Sequence, residues 1–367
     1  RSGIETLDGR ARLVTHDSVA VGDRRFSAPR IIVATGSRPA VPPIDGLDGV
    51  DYLTNETVFE LRTMPGSMAI IGGGPVGCEL AQAFSGLGVE VHLFEALDRL
   101  LQSEEPEASA IVTRALRDRG VEVSVGAEIT SVSRTADGSV SVGRPAGSVF
   151  VDQVLLATGR DPNTRDLGLE KLGVELDDEG HVVVDDHLAT RVRGVWAAGD
   201  VTGRLPFTHA ADEMGRLAAG NALRKPPRGP FRTHWIPWVV FTDPEVGRVG
   251  LTESEAVGSG GRVAYLPLSD LDRAVTDGRT DGYIKLIAGP RRFTRRLYGG
   301  RVLGATIVAP RAGEMIHEPA LAMRAGMFTG RLAQTVHAYP TWSVGIQQAA
   351  AQFFGDVGGR RSRAARA

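Results

Sequence analysis

The stretch MAIIGGGPVGCELAQAFSGLGVEVHLFE, residues 68–95, most constrains what this chain can fold into. An apolar run ends in Gly72-x-Gly74-x-x-Gly77, a helical pattern follows, and a second apolar run closes on Glu95. The glycine string is weak alone. Flanked by a strand and a helix, with an acid about 20 residues further on, it reads as a dinucleotide-binding βαβ unit. Gly72 permits the tight turn, Gly74 lets the backbone approach a pyrophosphate, and Gly77 lets helix and strand pack closely. Free N–H groups at the helix start then hold the phosphates. The Glu95 carboxylate can accept hydrogen bonds from a ribose 2′-hydroxyl but meets a 2′-phosphate with like charge. No arginine follows it before Arg99, so NAD is favoured over NADP. Glu79 stands in the first turns of the same helix. It is either a buried carboxylate that needs a partner or a raised pKa, or an acid favoured by the helix N-terminus.

A chain of 367 residues exceeds what one core usually supports, so two or three domains are expected. The net charge of −2 gives no electrostatic argument for nucleic acid or an anionic membrane. The basic run RRFTRR (291–296) reads as a solvated hairpin. No apolar run reaches the roughly 18 residues of a membrane span, and the polar first residues do not read as a signal peptide. A cytoplasmic protein is the expectation. Cys78 is the only cysteine, which excludes an internal disulfide, a thiolate cluster and a dithiol pair within this sequence. The opening RSGIETLDGR lacks a methionine and suggests a processed or truncated chain.

Short strand-like segments precede IIVATG (31–36), and the Pro/Gly-rich residues 38–49 read as a linker. After the βαβ unit the pattern predicts a helix from Pro106 to Arg119, a hairpin region and a strand at 153–159. A helix is expected from Thr208 to Leu223, and RKPPRGP (224–230) reads as a boundary. Beyond it lie strands, then helices from Ala312 to Ala325 and from Thr341 to Phe353, an α+β texture.

Several stretches now carry a family resemblance: IIVATGSRP, AIIGGGPVGCELAQAF, LLATGRDPN, GVWAAGD, FTDPEVGRVGLTESEA and GATIVAPRAGEMIHEPALAMRAGM. In order along nearly the whole chain, they resemble the flavin-dependent pyridine nucleotide-disulfide oxidoreductases, of which dihydrolipoamide dehydrogenase and mercuric reductase are the nearest types. The resemblance implies an α/β fold with two Rossmann-like nucleotide-binding units, the FAD one incomplete, followed by an α+β interface or dimerisation domain. It places part of the FAD domain at 1–40, the NAD domain with its linker at 41–160, and a return to the FAD domain at 161–228. The interface domain follows at 229–355, with 356–367 a disordered tail. It implies FAD and NAD as cofactors, held by Gly159, Gly199 and Asp200 beside the Gly72–Glu95 set, with Asp200 at the flavin ribityl region. Glu79 matches a glutamate near the nicotinamide–flavin contact, whose usual lysine partner is not in this sequence. His209 heads a helix beside the flavin, where packing is its expected role.

The sequence also departs from that pattern. It contains neither an FAD glycine fingerprint nor a Cys-x4-Cys pair. The C-terminal His-Pro-Thr motif with its following glutamate reads Tyr339-Pro340-Thr341-Trp342-Ser343-Val344 here. Tyrosine, with a reference pKa of about 10, is a poor base near neutrality, and valine cannot orient one, so Tyr339 is only a weak catalytic candidate. His337 matches a neighbouring structural position. The resulting expectation is an FAD-dependent NAD(P)H oxidoreductase acting as a homodimer on an unidentified small-molecule or metal-ion acceptor. The alternatives are an N-terminally truncated dihydrolipoamide dehydrogenase-like or mercuric reductase-like enzyme, and a flavin-free NAD-binding dimeric remnant without activity.

Overall fold

The computed structural model describes residues 3–366 apart from 225, 228 and 292–295. The basic run at 291–296 therefore falls largely outside the described residues. The chain divides into two compact units, Arg1–Arg38 with Arg160–Thr233, and Pro39–Gly159 with His234–Ala367.

The larger unit begins with β1 (Tyr52–Thr54), β2 (Ser67–Ile71), helix α1 (Pro75–Gly86), β3 (Glu90–Phe94), helix α2 (Pro106–Asp118) and β4 (Glu122–Ser124). Strands β5 (Ser131–Arg134), β6 (Val140–Arg144) and β7 (Gly147–Val151) form a small antiparallel sheet. Strand β8 (Gln153–Leu156) completes a separate parallel sheet in the order β1-β8-β2-β3-β4. Strand β2 is apolar from Met68 to Ile71 because both its faces are covered there. Met68 and Ile70 meet Cys78, Ala81 and Phe84 of α1, while Ala69 and Ile71 meet Val140 and Val142 on the other side. Both helices begin with proline in the first turn, where its missing N–H removes no helical bond.

The same unit continues as an antiparallel sheet. Its strands are β9 (Trp238–Val240), β10 (Glu245–Gly250), β11 (Arg262–Pro267), β12 (Tyr283–Gly289), β13 (Arg301–Ala309) and β14 (Arg363–Ala364), in the order β9-β10-β13-β12-β11-β14. Alternation along β12 and β13 splits its contacts. Tyr283 and Val308 join the core of α1 and α2, whereas Ile284, Leu286, Ala305 and Ile307 join the C-terminal helices.

Three expectations change here. The helix expected over Ala312–Ala325 is two pieces, Ala312–Met315 and His317–Arg324. Pro319 supplies no N–H to the Met315 carbonyl four residues earlier, and its ring crowds that carbonyl. The segment expected as a disordered tail from 356 instead carries β14, which pairs with β11, and Arg363 binds Glu253. The helix expected from Thr341 starts at Val344.

In the smaller unit, strands Ala11–Thr15, Ser18–Val21 and Arg24–Ser27 form an antiparallel meander. Ile31–Val33 pairs in parallel with Val195–Ala197, and the helix Thr208–Leu223 follows. Val33, Leu169, Val182, Val195 and Val201 form its core.

Candidate nucleotide and flavin sites

Strand β2 ends at the glycine turn, and Gly72 has φ +112°, a conformation that disfavours any residue with a Cβ. A Cβ on Gly77 would fall inside the contact radius of the Gly72 carbonyl oxygen, so the helix–turn approach requires glycine there. No side chain caps the start of α1, and its first N–H groups are available to an anion. Glu95, just past β3, comes back to this turn. Its Oε2 accepts the Gly73 N–H at 2.7 Å and its Oε1 accepts the Leu97 N–H at 2.8 Å. Gly72, Gly74, Gly77 and Glu95 thus lie at or beside one turn, and each carboxylate oxygen keeps a second lone pair.

Cys78 is fully buried on α1, and its thiol donates to the Gly73 carbonyl at 3.3 Å. Burial, reinforced by the carboxylates of Glu79 and Glu95, pushes this thiol far above its ordinary range. It is a packing residue rather than a nucleophile.

Glu79 is half-buried, and its Oε1 accepts the Phe241 N–H at 2.8 Å. Desolvation raises its pKa above the ordinary 4.5 and outweighs that hydrogen bond. A raised folded-state value means that the neutral carboxyl favours folding below the unfolded-state pKa. This contribution disappears as pH rises through the folded-state value. Glu79→Gln, whose amide oxygen still accepts from Phe241, is therefore expected to melt above the wild type at pH 7 to 8. The difference should vanish below about pH 4. Melting temperatures across that range check this, and a gap independent of pH would rule the desolvation account out.

In the smaller unit, Gly199 (φ +83°) leads into a turn over Asp200–Thr202. Ser37 Oγ donates to Asp200 Oδ2 at 2.6 Å, Arg160 Nε donates to Ser37 Oγ at 2.6 Å, and Arg160 lies 3.7 Å from the carboxylate. The sequence reading named Asp200 without Ser37 or Arg160. The signal was present, because ATGSRP (34–39) and ATGRDP (157–162) repeat one pattern and place these two residues at the same step. Gly159 closes the second copy in the larger unit, where its carbonyl accepts the Ala40 N–H at 3.0 Å. His209 stacks on Phe207 at the start of the Thr208–Leu223 helix, with 5.7 Å between ring centroids.

Tyr339 is exposed, and its phenol donates to Asp272 Oδ2 at 2.7 Å; this bond and the aspartate's charge raise its pKa. Val344 is buried in the core beneath the C-terminal helices. His337 lies against Glu318, with Nε2 3.0 Å from the carboxylate.

Comparison with known proteins fits this arrangement. A family model described as pyridine nucleotide-disulphide oxidoreductase matches residues 1–215, and the dimerisation domain of the same family matches 236–350. Mercuric reductase from Streptomyces lividans is 39% identical over 92% of this chain and 70% of that protein. Mercuric reductase from Bacillus cereus is 36% identical over 97% of the chain, which spans 56% of that relative's length. Dihydrolipoyl dehydrogenase from Thermus scotoductus is 35% identical over 95% of the chain and 75% of that protein. The crystal structure of LpdA from Mycobacterium tuberculosis superposes with a TM-score of 0.86 at 31% identity, covering 96% of this chain and 78% of that one. The HOCl-induced flavoprotein disulfide reductase RclA from Escherichia coli gives 0.83 at 29% identity, over 95% and 79%. This chain, with its single cysteine, belongs to the pyridine nucleotide-disulphide oxidoreductases.

Proposed function

We propose that this chain serves an FAD-dependent oxidation of NADH, as a homodimer, with electrons passed to a small-molecule or metal-ion acceptor. The observation that carries the nucleotide half is Glu95. Both its carboxylate oxygens are fixed at the glycine turn by the Gly73 and Leu97 N–H groups. A carboxylate so held suits ribose hydroxyls and repels a 2′-phosphate, which favours NADH over NADPH. Gly72, Gly74 and Gly77 would hold the pyrophosphate against the start of α1, with Gly159 permitting a close backbone approach.

The flavin half rests on Asp200 and Gly199. Asp200 is partly exposed, and Ser37 engages only one of its oxygens, leaving the other to accept from a ribityl hydroxyl. When bound, the nicotinamide supplies hydride and the flavin relays the electrons; the protein supplies placement and electrostatics. Glu79, matched to the family glutamate near the nicotinamide, would present a poorly solvated carboxyl there.

Thiol acid–base chemistry of the dihydrolipoyl dehydrogenase kind is not favoured. The Asp272 carboxylate holds the proton on Tyr339, and Val344 is committed to a core. Tyr339 can donate a hydrogen bond near neutrality but cannot serve as a base.

The test is an absorption spectrum of the chain saturated with FAD and desalted. A stoichiometric flavin band that NADH bleaches without oxygen is the expected result. A colourless protein that still binds NADH would sink the flavin half of the reading.

A further inference from the structure

Arg99 is the first cation after Glu95, the location where a guanidinium could meet a 2′-phosphate. Its side chain instead turns onto its own loop. Nη1 donates to the carbonyls of Leu101 and Glu104 at 3.1 and 3.0 Å, and Nη2 donates to that of Gln102 at 2.6 Å. No carboxylate among the described residues forms an ion pair with it.

The carbonyls it gathers surround a strained residue. Leu101 is fully buried with φ +48°, a conformation that persists only where its surroundings enforce it. In that conformation the Leu101 N–H donates to the Gly73 carbonyl at 2.9 Å. The N–H of the same residue, Gly73, is the one Glu95 accepts. Gly73 is therefore held from both sides, by the acid at its N–H and by the Arg99 loop at its carbonyl. The far end of the loop is anchored separately. Arg248 of β10 donates to the Ser103 carbonyl, and Trp238 Nε1 of β9 donates to Glu104 Oε1 at 2.8 Å.

We propose that Arg99 is a positioning residue. It holds residues 97–104 against the Gly72–Gly74 turn and thereby sets affinity for either pyridine nucleotide without touching it. The inference rests on the reading of the Gly72–Glu95 turn as the nucleotide site, and its test needs no flavin.

Calorimetric titration of the full chain with NADH and with NADPH separates the possibilities. Arg99→Ala is expected to weaken both nucleotides by about tenfold or more, the scale of one lost hydrogen bond to a charged group. Because the effect passes through the turn, the ratio of the two affinities should not change. Arg99→Lys, which keeps the charge but cannot reach all three carbonyls, should recover part of the loss. If Arg99→Ala does not fold, Arg99→Gln, which keeps two donors, is read in the same way.

Loss confined to NADPH would overturn the proposal, because Arg99 would then be a direct phosphate ligand. Unchanged affinities with a lowered melting temperature would overturn it too, leaving a purely structural role. A wild-type chain that bound neither nucleotide would remove the site reading itself, and the inference with it.

Discussion

Replacing Lys285 with methionine should cost about 3–5 kcal/mol of folding stability, a large share of the 5–15 kcal/mol typical of a domain. Lys285 lies on β12 with no exposed surface. Its Nζ stands 3.2 Å from Glu105, 2.9 Å from Glu107 and 3.1 Å from Glu253. Burial alone would lower the lysine's pKa, but the hydrogen bond to Glu107 and the charges of Glu105 and Glu107 outweigh it and hold the ammonium above its usual range. Burial would likewise raise Glu253, yet its hydrogen bonds to Arg363 and Lys285 bring it below the ordinary value. A depressed carboxylate contributes stability that is present above its unfolded-state pKa and lost as pH falls through the folded-state value. In Lys285→Met the sign reverses. The buried carboxylates of Glu105 and Glu253, with the half-exposed Glu107 beside them, are left with the Arg363 charge alone, ionisation is disfavoured, and the variant gains stability as pH falls. The gap in melting temperature between wild type and variant should therefore narrow from pH 8 toward pH 4.5. A second change, Glu105→Gln, should return part of the loss at pH 8. A gap that neither acid nor Glu105→Gln reduces would mean that lost packing, not unpaired charge, is the cause.

That cluster also shows where the sequence stops being legible. The βαβ unit was readable because its period, its glycines and its acid all lie within one local stretch. Strand β2 and helix α1 follow that pattern directly. Lys285 carried one local sign, a charge inside the apolar run YIKLIAG, but its partners lie far away at the start of α2 and in the loop after β10. No spacing rule links residues 105, 253 and 285; only the packing of a parallel sheet's helix on an antiparallel sheet does. The split of the Ala312–Ala325 helix was legible in principle, because Pro319 sits too far inside for a first-turn proline. The ordering of residues 363–364 was not, since a glycine- and arginine-rich tail pairs as a strand only where an open sheet edge and a buried carboxylate receive it.

The candidate sites divide in the same way. Residue types named from the motif, Gly72, Gly77 and Glu95, meet at one turn because the motif is itself a description of that turn. Glu79 was read with two alternatives, and its surroundings favour the poorly solvated one, with a backbone N–H from the neighbouring sheet as donor. The commitment of Arg99 to carbonyls was invisible, because backbone acceptors carry no residue signature. A sequence shows that a cation is present but not which way it faces.

The motif's own glycines supply the sharpest contrast to test. Gly77 lies inside α1, where exchange to alanine on propensity alone would stabilise by up to about 1 kcal/mol. The position forbids it, because the new Cβ would overlap the backbone oxygen of Gly72, an atom that cannot turn aside as a flexible side chain could. Overpacking of that kind costs about 1–3 kcal/mol or more, so the steric term wins and Gly77→Ala should be destabilising. It should also cost nucleotide affinity, since relief requires moving the turn that carries the phosphate-binding N–H groups. Gly74 makes the opposite case. Its φ of −72° suits any residue, and a Cβ there meets nothing within 4 Å, so Gly74→Ala should leave the melting temperature nearly unchanged. Its glycine is then explained by ligand approach alone, and NADH binding should still weaken. The two variants together separate fold from function: Gly77→Ala loses both stability and binding, and Gly74→Ala loses binding only. If Gly74→Ala bound NADH as tightly as the wild type, the pyrophosphate would not run along this turn, and the nucleotide would have to be sought elsewhere.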